Sequence, residues 1–292
     1  MNKNTLIWIW LSMIFPPASL RLYDIYSNYQ NSEEIYKAIK EQKITNLTPD
    51  EQNAIKNIGL DKAEDILNFC RKNSISIITL ESEDYPVKLM NTDCPPAVIY
   101  CLGNIQALNA QISAAIVGAR NACSYSMECA DFFAQRLAEN DVLIVSGFAN
   151  GIDSAAHYGA IRAGGNTAAV LGSGILYDYP KNKFQLKYEI AAHGAVISEY
   201  PPLEPAQPEY FKIRNRIISG LSDGVLVVEA GKKSGAINTV SHALEQGREV
   251  YVIPPHDIFD RSFDGQSLLI KDGAREVYSP AEILNDLNGS VL

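Results

Sequence analysis

From residue 112 onward, short apolar runs alternate with helical stretches of ordinary length. The runs fall at 114–118 (AAIVG), 142–147 (VLIVSG), 167–172 (TAAVLG), 195–200 (AVISEY), 224–230 (GVLVVEA) and 249–254 (EVYVIP). None shows the apolar/polar alternation of a half-exposed strand, so each predicts a strand covered on both faces. Strand–helix alternation repeated this often predicts a parallel, doubly wound sheet with helices on both sides. Right-handed crossovers then bring the C-terminal ends of the strands to one rim, where ligands of open sheets bind. Residues 1–75 read differently. Apolar residues recur there at helical spacing, separated by polar turns such as TNLTPDEQ. ISIITL at 75–80 and AVIYC before residue 102 predict two further strands. The proline-punctuated stretch around them, 76–111, reads as a connection. The expected organisation is a small helical domain over 1–75 and an α/β domain over 76–292.

Composition narrows the function classes. The chain has 292 residues, a net charge of −9 and five cysteines. No wholesale basic surface exists, so any contact with nucleic acid must be a local groove. The cysteines are odd in number and form no CxxC pair, which speaks against a disulfide framework and a zinc site and for reduced thiols in the cytoplasm. The run LIWIWLSMIF at 6–15 is too short to span a bilayer and continues into amphipathic sequence, so it reads as a buried first helix and not as a signal core. The segment Ile58-Gly59-Leu60 fits either a turn between packed helices or a glycine turn that admits a DNA phosphate.

The strand ends carry glycine, serine and positive charge. Arg120 directly follows the first strand of the series, and its planar fork suits phosphate. Ser146-Gly147-Phe148-Ala149-Asn150-Gly151 opens a helix, and so does Ala230-Gly231-Lys232-Lys233-Ser234-Gly235. Helix N-termini present unpaired N–H groups and partial positive charge, so several on one rim make a site for more than one phosphate. Lys181, Lys183 and Phe184 follow the third strand. Lysine with an exposed aromatic is what single-strand binding uses, although Phe184 can equally be buried. Near Lys212, the good N-cap Asn215 predicts a helix beginning at Arg216, which leaves Arg214 just outside it and lets both arginines serve one anion. Asp153 reads as an N-cap or first-turn carboxylate in preference to a catalytic base. His157, one turn on, either meets Asp153 or packs. Gly165 and Gly247 read as helix C-caps. No histidine pair has metal-ligand spacing, and neither a G-x-S-x-G nor a Walker motif occurs.

Taken in order, the strings IVGAR (116–120), VSGFANGIDSAAHYGAI (145–161), AVLGSGI (169–175), YPKN (179–182), AVISEYPP (195–202), RNRIISGLSDGVLVVEA (214–230), SGAINTV (234–240) and ALEQGREVYVIP (243–254) resemble the DNA-processing protein A family, also called DprA or Smf. The resemblance covers roughly residues 85–283. It implies an extended Rossmann-like fold, a SAM-like helical domain in front, and no enzymatic activity, cofactor or metal. It also implies a homodimer that binds single-stranded DNA, protects incoming strands during natural transformation and loads the RecA recombinase. Carried over by motif, the DNA contacts are Arg120, Lys181, Phe184, Arg214 and Arg216, with Gly147 and Gly151 giving backbone access and Ser234 and Gly235 as further candidates. Three departures stand out. The first helix ends in FPPAS, where relatives often carry a glycine-rich turn. Gly265-Gln266-Ser267 replaces a more usual segment, and the sequence ends soon after AEILNDL, where some members continue into a winged helix. Two other readings compete: a nucleotide-binding sensor, and a nucleotide phosphoribohydrolase-like enzyme. The latter's PGGxGT turn is missing here, where EAGKKSGAIN with Glu229 stands in its place.

Overall fold

The computed structural model describes residues 3–289. Five helices come first: α1 (Lys3–Ile14), α2 (Leu20–Ser27), α3 (Ser32–Lys40), α4 (Pro49–Asn57) and α5 (Leu60–Lys72). A helix apolar all round must be buried, and α1 is: Ile7, Trp8, Ile9, Trp10 and Leu11 are each at most 1% exposed. Polar side chains start the neighbouring helices. Ser19 and Asn31 cap α2 and α3, and Thr48 forms a reciprocal capping box with Glu51 ahead of α4. The turn Ile58-Gly59 joins two packed helices. Its Ile58 carbonyl accepts a hydrogen bond from Trp10 Nε1 at 2.7 Å, and Asp61 occupies the first turn of α5.

The chain then builds one sheet. Its elements are β1 (Ser76–Thr79), α6 (Val87–Met90), β2 (Val98–Gly103), β3 (Ser113–Val117), α7 (Ser124–Ala138), β4 (Leu143–Ser146), α8 (Ile152–Arg162), β5 (Thr167–Leu171), α9 (Phe184–His193), β6 (Gly194–Ser198), α10 (Pro208–Gly220), β7 (Gly224–Val227), α11 (Gly235–Glu245), β8 (Glu249–Val252), α12 (Asp264–Lys271), β9 (Arg275–Glu276) and α13 (Pro280–Gly289). The strand order is β1-β2-β6-β5-β4-β3-β7-β8-β9. From β6 to β9 all pairs are parallel, while β1 and β2 join antiparallel at the β6 edge. The sheet is therefore doubly wound and mostly parallel, as the apolar runs predict. The stretch read as a connection contributes two of its strands. The two-residue β9 is too short to leave a pattern in the sequence.

Each central strand feeds two cores. Ala115 and Val117 of β3 and Val225 and Val227 of β7 face one apolar cluster; Ala114, Ile116 and Leu226 face the other. The second cluster is closed by α7, α8 and α13 through Phe133, Leu137, Ile152, Ile283 and Leu287. The first runs without a break from Val225 and Val196 through Tyr100 and Ile78 to Trp8 and Trp10 of α1. Strands β3 to β6 grow outward in one direction and β7 to β9 in the other, which makes β3/β7 the topological switch point. Among the described residues no helix is long and apolar enough to cross a membrane.

Two local expectations change. Helix α10 begins at Pro208, with proline at a first-turn position, and runs through Arg214, Asn215 and Arg216. After α8 it is Gly164, at φ +69°, that takes the left-handed conformation. Gly165 instead lies against Ala138, where a Cβ would come within 2.7 Å of that side chain. Gly247 behaves as expected, at φ +66°.

Candidate nucleic-acid interface

The rim at the switch point is made of turns that follow β3, β4, β5 and β7. The β3 and β7 turns are joined by a hydrogen bond from Ala119 N to Glu229 O at 2.8 Å. Glu229 is 2% exposed, and its Oε2 accepts from Cys123 N at 3.0 Å, at the start of α7. This acid thus holds the Arg120 turn in place. Gly151, at φ +74°, lets the β4 turn press on the same segment, since a Cβ there would collide with the Ala119 and Arg120 carbonyls. At Gly147 a Cβ would lie 2.6 Å from Asp153 Oδ2 and 2.8 Å from Arg214 Nη2. Both glycines expected to admit a ligand therefore make room first for the protein itself.

Arg120 is exposed, with its Cζ 5.2 Å from the centroid of the Phe211 ring. Phe211 packs over Gly172 and lies 5.3 Å from the Tyr179 ring, centroid to centroid. These three side chains form the wall between two clefts. One, of about 460 Å³, is lined by Gly147, Ala149, Gly172, Tyr177 and Lys181. The other, of about 880 Å³, is lined by Lys212, Lys233, Ser234, Gly235, Asn215 and Glu229. Among the described residues no carboxylate forms an ion pair with Arg120, Lys181, Lys212 or Lys233. Lys232, by contrast, has Asp264 at 3.7 Å. Ser234 caps α11 by accepting from Ala236 N at 3.3 Å, and Gly235 faces open space.

Of the other expected DNA contacts, Arg214 lines the larger cleft, while Arg216 and Phe184 line neither. Successive helix positions differ by about 100°, so residues two apart point to nearly opposite sides. Arg214, 5% exposed, sits beneath the rim and donates from Nη1 to Gly147 O at 2.5 Å and to Val170 O. Arg216, 7% exposed, faces away and pairs with Glu199 Oε1 at 2.7 Å. The two cannot serve one anion, because the helix runs straight through both. Phe184 is 40% exposed at the start of α9 and lines neither cleft; it carries Lys187 Nζ 5.1 Å from its centroid. Lys183 is tied down on Ser154 Oγ and on Ala149 O at 3.4 Å. Asp153 is a first-turn carboxylate accepting from Ala149 N at 3.0 Å. His157 bonds Thr167 and not Asp153. All five cysteines are free, and among the described residues no group of His, Cys, Asp and Glu could hold a metal. Gln266 is fully buried and donates to Val228 O and Ile253 O, closing the β7 and β8 ends. The aromatic pair Phe211 and Tyr179 was missed by sequence reasoning. Its signal was present: each stands within three residues of a rim cation, in the strings YFKIR and YPK.

Comparison with known proteins bears on this rim. The profile of a family described as DNA recombination-mediator protein A matches residues 76–288. DNA processing protein DprA of Bacillus subtilis is 37% identical over 222 residues, 76% of this chain and 74% of that one. The solved structure of DprA from Streptococcus pneumoniae superimposes with a TM-score of 0.75 at 30% identity, covering 92% of this chain and 97% of that one. DNA processing protein A from Helicobacter pylori, solved for its single-stranded DNA binding mode, gives a TM-score of 0.66 at 29% identity over 74% of this chain and 97% of that one.

Proposed function

The chain belongs to the DNA recombination-mediator protein A family, and from that premise we propose that its switch-point rim holds single-stranded DNA during DNA processing in natural transformation. The observation that carries the reading is the wall between the clefts. An exposed guanidinium without a carboxylate partner lies on an aromatic ring, with clefts on both sides and exposed lysines in each. Phosphates supply most of the affinity for such a groove, and aromatic faces supply sequence-tolerant stacking. Arg120, Lys181, Lys212 and Lys233 meet phosphates; Tyr179 offers a face for a base, with Phe211 backing Arg120; Ser234 and Gly235 present the N-terminus of α11. A duplex keeps its bases stacked inside and gains nothing from the aromatic wall.

The same reading makes the protein a cytoplasmic homodimer that protects incoming strands and hands them to a RecA recombinase, without catalysis of its own. Glu229, the acid of the competing enzymatic reading, supports this by being engaged with the Cys123 amide. The test is titration of labelled oligo-dT and of the matching duplex at two salt concentrations. Single strand should bind tighter. The variant Arg120→Ala/Lys181→Ala should lose about ten- to a hundredfold in affinity and flatten the salt slope, by up to about 0.7 per phosphate contact removed. Equal binding of duplex and single strand would sink the proposal.

A further inference from the structure

We propose that Arg214 is a positioning residue which masks the carbonyl ends of β4 and β5 beneath the rim, so that an anion can approach strand ends that would otherwise repel it. This rests on the nucleic-acid reading of the rim. It differs from the expectation that Arg214 itself meets a phosphate.

The C-terminal ends of parallel strands present carbonyl oxygens, which carry partial negative charge. Arg214 directs one nitrogen, Nη1, at two of them, Gly147 O and Val170 O, and donates from Nε to Asn215 Oδ1 at 3.2 Å. Two of its three nitrogens are thereby turned inward, and the residue, 5% exposed, meets the larger cleft only at its edge. Gly147 and Leu171, the residue after Val170, both line the smaller cleft, so the masked carbonyls underlie its floor. Phe211, whose ring lies 5.9 Å from Arg214 Cζ, covers the guanidinium on the side toward Arg120. Asp153 supplies the compensating charge and ties the turn by accepting from Ala149 N. Burial pulls the pKa of Arg214 down to about 10, with Asp153 acting against that shift and Arg120 adding to it. A guanidinium keeps its proton at neutral pH even so, and its plane is fixed by the Nε bond to Asn215 while Nη1 meets both carbonyls, an aim that an ammonium on a flexible stem lacks. Gly147 fits the same design, since any side chain there would displace the pair.

The test compares Arg214→Gln, Arg214→Lys and Arg120→Ala with the wild type. It reads oligo-dT affinity across a salt series and amide hydrogen exchange over residues 147–151. Positioning predicts that Arg214→Lys and Arg214→Gln both lose roughly tenfold or more in affinity. Their salt slopes stay at the wild-type value, and exchange at 147–151 rises, because the turn has lost its tether. Arg120→Ala, a direct contact, loses slope with exchange unchanged. The inference is overturned if Arg214→Lys binds like the wild type while Arg214→Gln loses slope, the pattern of a phosphate contact. It is equally overturned if exchange at 147–151 does not respond. Should Arg214→Gln not fold, Arg214→Lys alone decides, since it keeps the charge and changes only the geometry. If instead Arg120→Ala leaves both affinity and slope untouched, the nucleic-acid reading fails, while the exchange data still judge the tether.

Discussion

His157 is enclosed on α8, with Nδ1 2.7 Å from Thr167 Oγ1, and that hydroxyl donates onward to Ile144 O at 2.9 Å. The threonine proton is thus committed, so Nδ1 carries the imidazole proton and Nε2 is left buried without a partner. Charging the ring would place an N–H in apolar surroundings. Burial first, and then the charges of Lys183 and Arg214, lower its pKa to about 3. An unfolded histidine takes up its proton near 6.5. Between those values the unfolded chain binds more protons, so this group makes stability fall as pH falls through the window, by at most about 1.4 kcal/mol per pH unit. His157→Gln should flatten that decline. Urea midpoints near neutrality and at about pH 4.5 give the comparison, and a variant whose midpoint drops as steeply as the wild type's would refute it. The partner of His157 was not legible in sequence. Asp153, four residues away, was the local candidate, but Thr167 lies on the neighbouring strand and is brought there only by the packing of α8 on β5.

At the scale of elements, α10 is where sequence and structure diverge most. Two start signals compete: Asn215 as an N-cap and Pro208 as a first-turn residue. Pro208 prevails because its missing N–H is one the helix leaves unpaired anyway, and because the extra turns bury Arg214 and Arg216 on opposite flanks. Asn215 is used sideways instead, donating to Asn238 Oδ1 at 3.1 Å and Gly235 O at 3.3 Å and so joining α10 to α11. The Arg216–Glu199 pair fastens the other flank of α10 to the end of β6. A buried pair adds little net stability, but removing one partner leaves an uncompensated charge at a cost of about 3–5 kcal/mol. Glu199→Gln should therefore lower the denaturation midpoint strongly while leaving the salt slope of oligo-dT binding unchanged, because Arg216 lies off the rim. A lost slope with intact stability would mean that Arg216 meets the ligand after all. The strands were far more legible than this helix. Their unbroken apolar runs follow from burial on both faces, a property of each segment alone, whereas the start of α10 depends on what its two flanks must touch.

Over the whole molecule, charge and core are distributed differently. Residues 1–75 hold nine acidic and nine basic side chains, so the net −9 falls entirely on the remainder, which nevertheless gathers Arg120, Lys181, Lys212 and Lys233 around one rim. That local concentration was readable from cations placed at strand ends. Which of them are free was not, because Lys183, Arg214 and Arg216 are consumed by partners distant in sequence. The core ignores the change of pattern at residue 75. Tyr100 and Ile78 of the sheet belong to the same apolar cluster as Trp8 and Trp10. Helix α1 and the sheet share that one continuous core, so neither can leave it without exposing apolar surface of the other. Both tryptophans of the chain lie in α1, so their fluorescence reports on the helical segment, whereas far-ultraviolet circular dichroism reports on all the helices and the sheet. The two signals should give one coincident urea transition. A tryptophan transition that precedes the loss of circular dichroism would show that α1 leaves the sheet on its own, and that the boundary visible in the sequence is also a boundary in stability.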